Sequence, residues 1–313
     1  MIGQRSLLYS LMVLVPACAA AQAPSDRPPV IDLHMHAPLA PGPLDSLDAF
    51  LEHQLASIDS FNVRYVMLTG VPDVLFAWSP EFEERTGVLP GLLFPCENGV
   101  AVHAGRPCFD HGGDWPEVDR LREDIEAGRV GALGEITTQF LGLSPSGPEL
   151  EPYFGLAEEY DLPMFIHLGP GFPGAAYEEG LPVPPRNYRA AAGDPLLLEE
   201  ALLRHPTVRV VVMHAGWPLA DQMVSTLYHH PQLRVGVGWL QNEAAFPREE
   251  YYAFLQRLVR AGFADRILFG SDASLAEGID AILEADFLTE QQKRDILCAN
   301  AARFLRLDEA TCK

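Results

Sequence analysis

Eight short apolar runs, separated by longer amphipathic stretches, constrain the fold of this 313-residue chain more than any other feature. They lie at 30–34, 65–68, 91–94, 131–136, 164–167, 208–214, 233–237 and 267–269. Helical patterns intervene at 44–61, 115–127, 150–160, 195–204 and 248–261. Apolar strands of this kind need cover on both faces, and alternation with helices supplies it as parallel βαβ units. Eight such units predict closure into a single-domain (β/α)8 TIM barrel of the α/β class rather than an open sheet. The expected organisation is a barrel domain at 30–307, a Pro-rich lead-in at 22–29 and a short tail at 308–313.

Residues 1–21 read as an export signal. Arg5 provides a basic start, 6–15 an apolar run, and Ala19 and Ala21 the small residues that precede a cut. The run is too short to span a bilayer, so no membrane span is expected. The stretch Val15-Pro16-Ala17-Cys18 also resembles a lipoprotein processing site, which would place a lipid on Cys18; simple cleavage is preferred because Pro16 is unusual there. Either route predicts a periplasmic or secreted protein. Cys96, Cys108, Cys298 and Cys312 remain in the exported chain, and an even number in an oxidising compartment suggests disulfides. Local pairs 96–108 and 298–312 are the simplest of three pairings, and four free thiols are the alternative.

The charge balance narrows the partners. With 22 Lys+Arg against 43 Asp+Glu the formal charge is −21, a field that disfavours nucleic acid and anionic membranes as partners and leaves a small-molecule substrate. Lysine is confined to Lys293 and Lys313, which removes Schiff-base chemistry from most of the chain.

Chemistry gathers where the apolar runs end. His34 and His36 close the first run, and residues two apart on a strand point to one side. Glu135 sits at the end of the fourth, His167 of the fifth, His214 of the sixth, and Asp272 just beyond the eighth. One histidine in an apolar strand is more often a satisfied core residue than a ligand. Six metal-capable side chains at the ends of five strands point instead to divalent-ion chemistry, because the carboxyl ends of barrel strands are where catalytic residues converge.

This pattern resembles the amidohydrolase superfamily, and in particular its amidohydrolase-related branch. The resemblance covers nearly the whole exported chain through Ile31-Asp32-Leu33-His34-Met35-His36, Gly134-Glu135-Ile136, Gly270-Ser271-Asp272 and the closing segment Asn300-Ala301-Ala302-Arg303-Phe304-Leu305. It implies one or two divalent ions, zinc first and manganese or a similar ion next, that activate water against an ester, lactone or amide. Many binuclear members bridge their metals with a carboxylated lysine on the fourth strand, and this chain has none to offer. Glu135 stands in that place, as in the similar Gly-Glu-Ile segment of TatD-type nucleases. The implied assignment gives His34, His36 and Asp272 to a first ion and His167 and His214 to a second, with Glu135 between. Asp272 would be the catalytic base, and His214 a donor to the developing oxyanion if one ion binds. Non-oxidative decarboxylation, known in the same branch, and phosphoester hydrolysis are the alternatives.

Two long connections, 96–114 and 168–194, follow strands and should overhang the site. Arg186 and Arg189 in the second are candidates to bind a substrate carboxylate. Trp217 and Trp239, with Phe172, Tyr177 and Tyr188, are candidate pocket walls, and His103 and His111 are candidate approaches to the substrate.

Overall fold

The computed structural model describes residues 27–40, 42–102, 105–171, 174–177, 187–272 and 274–313. The export signal, Cys18 and most of the lead-in lie outside the described residues, as do His103, Phe172 and Arg186.

All eight apolar runs become strands: β1 Val30–His36, β2 Val63–Gly70, β3 Gly87–Phe94, β4 Ala132–Ile136, β5 Met164–His167, β6 Val210–Met213, β7 Leu233–Gly236 and β8 Ile267–Leu268. They form one parallel sheet in sequential order from β1 to β8. The two edges meet through Leu33 N donating to Phe269 O at 3.0 Å and Asp272 N donating to His34 O at 2.7 Å. The result is a nearly closed (β/α)8 barrel.

Strand alternation divides the core in two. Ile31, Leu33, Met67, Ala132, Phe165, Val211, Met213 and Leu268 fill the barrel interior, which Ala301 and Phe304 of the closing helix plug from below. Val30, Val66, Leu68, Leu133, Ile166 and Val212 face outward to pack under the ring of helices.

Register shifts interrupt the alternation, and two of them lie beside the candidate site. On β1, Asp32 pairs with Val66 and Met35 with Leu68, so three residues advance against two. On β4, Leu133 and Ile136 pair with Met164 and Ile166 on one side and with Leu92 and Phe94 on the other. Each strand therefore carries one extra residue, a bulge that re-aims the side chains around it. Leu33 belongs to the interior and Met35 to the outer layer, so the change of phase falls at His34. On β4 it falls at Gly134-Glu135.

The helices that surround the sheet are α1 Asp48–Ser60, α2 Pro72–Glu83, α3 Val118–Glu126, α4 Glu151–Glu159, α5 Glu199–Arg204, α6 Ala220–His229, α7 Arg248–Arg260, α8 Leu275–Leu283, α9 Glu290–Arg294 and α10 Asn300–Leu305. The pattern expected at 44–61 splits into a 3₁₀ turn, Leu44–Leu47, and α1. That at 195–204 splits likewise at Pro195–Leu198, where the Asp194 side chain accepts from Leu196 N. The helix expected from 115 begins only at Val118, after Pro116. The sixth run, expected to reach His214, ends at Met213; His214 opens a 3₁₀ turn with φ 55°.

Both local disulfides, Cys96–Cys108 and Cys298–Cys312, are present. No helix among the described residues is long and apolar enough to cross a membrane.

Candidate metal centre

The bulges and strand ends bring all six candidates to one spot. Nε2 of His34 and Nε2 of His36 are 3.1 Å apart. Asp272 Oδ1 lies 3.5 Å from the first and 3.4 Å from the second, while Glu135 Oε2 lies 3.6 and 3.2 Å from them. The other Glu135 oxygen is 2.6 Å from His167 Nδ1 and 3.4 Å from His214 Nε2. Two donor groups fit within a single ion's reach: His34, His36 and Asp272, and His34, Glu135 and His214. The split differs from the sequence expectation in that His34 belongs to both groups. His167 Nδ1, His214 Nε2 and Glu135 Oε1 also stand within 3.4 Å of one another, the second set that the sequence suggests.

The donor chemistry fits a cation. Two imidazole nitrogens 3.1 Å apart repel unless a proton or an ion stands between them, and His167 Nδ1 to His214 Nε2 repeats the arrangement at 3.0 Å. His214 gives its Nδ1 hydrogen to Gly238 O at 3.0 Å, which leaves Nε2 with a lone pair facing the cluster. Burial alone would raise the Asp272 carboxyl, but the facing His34, His36 and His214 outweigh it and hold it at about 2. Glu135 follows the same balance: burial opposes ionisation, and hydrogen bonds with His167, His214, His34 and His36 hold it well below the usual range. Burial would lower His36, yet Asp272 and Glu135 push it up to about 10. Without an ion, the buried site draws in protons to balance its carboxylates; a divalent cation answers the same demand.

Backbone and neighbours hold this geometry. His214, Asp272 and Trp239 adopt left-handed φ of 55°, 56° and 66°, a strain that persists only where surroundings enforce it. Gly270 is required beside His34, because a Cβ there would meet the His34 Cβ at 2.6 Å. Gly134, at φ 155°, admits no side chain either, since its Cβ would meet that of Phe165 at 2.6 Å.

Three positioning residues escape a sequence reading. Thr69, at the end of β2, donates its hydroxyl to Gly134 O and accepts from Glu135 N, both at 2.7 Å. Asp32, fully buried, accepts from His34 N at 3.0 Å, Ser271 N at 2.9 Å and Ser271 Oγ at 2.6 Å, tying β1 to the segment that bears Asp272. Burial raises the Asp32 carboxyl despite those bonds. Gln139 bonds both polar atoms of Gly169 and the Tyr188 hydroxyl. The signal for Asp32 and Thr69 is weak: a polar residue inside an otherwise apolar strand.

A cavity of about 260 Å³ opens above the six. Trp239 lines it, as proposed for a pocket wall. The other described candidates lie elsewhere. Trp217 packs edge-on against Phe246 at 4.8 Å, because the turn after His214 directs it to the helix layer. Arg189 is exposed and bonds Tyr188 O at 2.8 Å. Tyr188 stands behind the wall against Phe140, Tyr177 is exposed, and His111 stacks on Phe109 outside the cavity.

A family model described as Amidohydrolase matches residues 101–307. The match begins beyond His34 and His36, which therefore rest on the geometry. No curated protein matches the sequence. Among solved structures, an uncharacterised TIM-barrel protein from Bordetella bronchiseptica superposes with a TM-score of 0.61 at 15% identity, covering 89% of this chain and 98% of its own. A 5-carboxyvanillate decarboxylase from Sphingomonas paucimobilis gives 0.56 at 13%, covering 90% and 99%. A dihydroorotase from Campylobacter jejuni gives 0.55 at 15%, covering 90% and 84%. At those identities the likeness is one of fold. The family match spans well over half of the 313 residues, and on that ground the chain is an enzyme of the amidohydrolase family.

Proposed function

We propose that this enzyme is a metal-dependent hydrolase of a small ester, lactone or amide. The observation that carries the reading is Glu135: a buried carboxylate whose two oxygens face four imidazoles, with Asp272 on the far side of His34 and His36. His34, His36, Glu135, His167, His214 and Asp272 are the residues that would hold one or two divalent ions, zinc first. When bound, such an ion supplies Lewis acidity and eases deprotonation of water near neutral pH.

The chain's own groups supply the rest. Asp272, ionised and left with one oxygen away from the His34–His36 pair, takes a proton from the attacking water and returns it to the departing alkoxide or amine. His214, fixed by Gly238 O on its Nδ1, keeps Nε2 turned into the donor cluster beside Glu135 and His167. Leu39, Leu93, Val102, Phe140, Pro170 and Trp239 give the approach to the donors an apolar lining. The two disulfides support an oxidising compartment, in keeping with an exported protein cleaved after residue 21.

The test is a screen of purified protein against esters, lactones, amides and aromatic carboxylic acids, with ion content measured on the same sample. Hydrolysis that needs the ion supports the proposal. Release of carbon dioxide from an aromatic acid, with no hydrolysis, replaces it with decarboxylation.

A further inference from the structure

We propose that the cavity accepts a compact, neutral, apolar acyl group and rejects substrates that carry a remote carboxylate. This rests on the hydrolase reading above and names the substrate class for it.

The walls above the six donors are Leu39, Leu93, Val102, Phe140, Pro170 and Trp239. Among the described residues, no lysine or arginine lines the cavity. The polar atoms nearby are largely committed within the protein. Thr137, which also lines it, donates its hydroxyl to Pro95 O at 2.8 Å. Gly171 N donates to the Tyr188 hydroxyl at 3.0 Å, and Gln139 is committed to Gly169 and Tyr188. Pro170 has no N–H to give. His167 Nε2 is buried without a partner, but a substrate carboxylate placed against the apolar walls would lose its water and meet no cationic side chain among the described residues.

A buried cation on the loop that carries Val102 is already committed within the protein. Arg106 is 2% exposed, and its guanidinium is taken by Ala40 O at 3.0 Å, Gly42 O at 3.1 Å and Asp73 at 2.6 Å. Its backbone N–H holds Leu39 O at 3.2 Å, and the Cys96–Cys108 bridge closes the loop that carries Val102. The charge of Arg106 thus builds the apolar wall instead of reading a substrate. The chain's net −21 opposes an anionic ligand at longer range as well. A volume of about 260 Å³ sits at the lower end for ligand sites, which favours a compact acyl group.

The test compares two probes with one metal-binding head on the zinc-loaded protein: benzohydroxamic acid and 4-carboxybenzohydroxamic acid, by titration calorimetry. The neutral probe should bind tighter by about 30-fold, the penalty of an unpartnered charge. Equal affinities, a preference for the carboxylated probe or no binding of either overturns the inference. Val102→Arg should narrow or reverse the preference. The esters methyl benzoate and monomethyl terephthalate separate the two readings. A neutral preference in binding without hydrolysis of either ester keeps the cavity's class and removes the hydrolase. Faster hydrolysis of the terephthalate keeps the hydrolase and removes the class.

Discussion

Asp272 combines a strained backbone, φ 56°, with a carboxylate held at about 2 and a place 3.4–3.5 Å from two imidazoles. Replacement by Asn removes the anion and the proton acceptor together. Asp272→Asn should therefore lower kcat/KM by a hundred- to roughly ten-thousand-fold at unchanged fold, read by steady-state kinetics beside circular dichroism. Thr69 offers a subtler case. Thr69→Val would leave the Glu135 N–H buried without a partner, at about 1–3 kcal/mol, and would loosen the carboxylate's aim. Ion affinity should fall roughly 10–100-fold in a zinc titration, and Thr69→Ser should restore it. The six donors were legible in the sequence because their chemistry is distinctive and strand ends are easy to mark. Thr69 was not, since a threonine in a strand is ordinary and its partner lies 66 residues away. Arg189 and Trp217 misled for the converse reason: loop membership says nothing about which way a side chain turns.

Elements were read with a similar asymmetry. Strands announced themselves by apolar content, but the bulges in β1 and β4 left no local mark, although they set the inward aim of His34 and Glu135. Helix α2, outside the patterns marked in the sequence, takes Pro72 as a starter and holds Pro80 inside without ending there. Helices α4 and α5 are joined by His205, 2.9 Å from Glu158 and 3.1 Å from Glu151. Hydrogen bonds from His205 and Thr207 lower the Glu158 carboxyl from its ordinary 4.5. A lowered folded value adds stability above the ordinary one, and that stability is lost as pH falls through the lowered one. Glu158→Gln should thus lower the unfolding free energy above pH 4.5, where the ionised carboxylate stabilises the fold, and flatten its fall below that pH, as read by urea titrations across pH. At the chain's end, the Cys298–Cys312 bridge spans 14 residues, and removing both cysteines should cost about 3 kcal/mol in denaturant unfolding.

Across the whole molecule, an acidic chain of −21 surrounds a buried knot of two carboxylates and four histidines that calls for positive charge. Ion binding should accordingly stabilise the fold: free zinc at 100 times its Kd adds about 2.7 kcal/mol. Chelation should lower Tm by several degrees and added zinc should restore it, whereas a Tm indifferent to both would remove the ion from the folded state. The barrel also separates duties by depth. Donors stand at the ends of strands locked to one another by the sheet, while Val102 of the cavity wall rides on a loop clipped shut by Cys96–Cys108 and seated by Arg106. Inheritance can therefore vary Val102 to suit a new acyl shape without disturbing the reactive floor, and specificity is free to drift faster than chemistry.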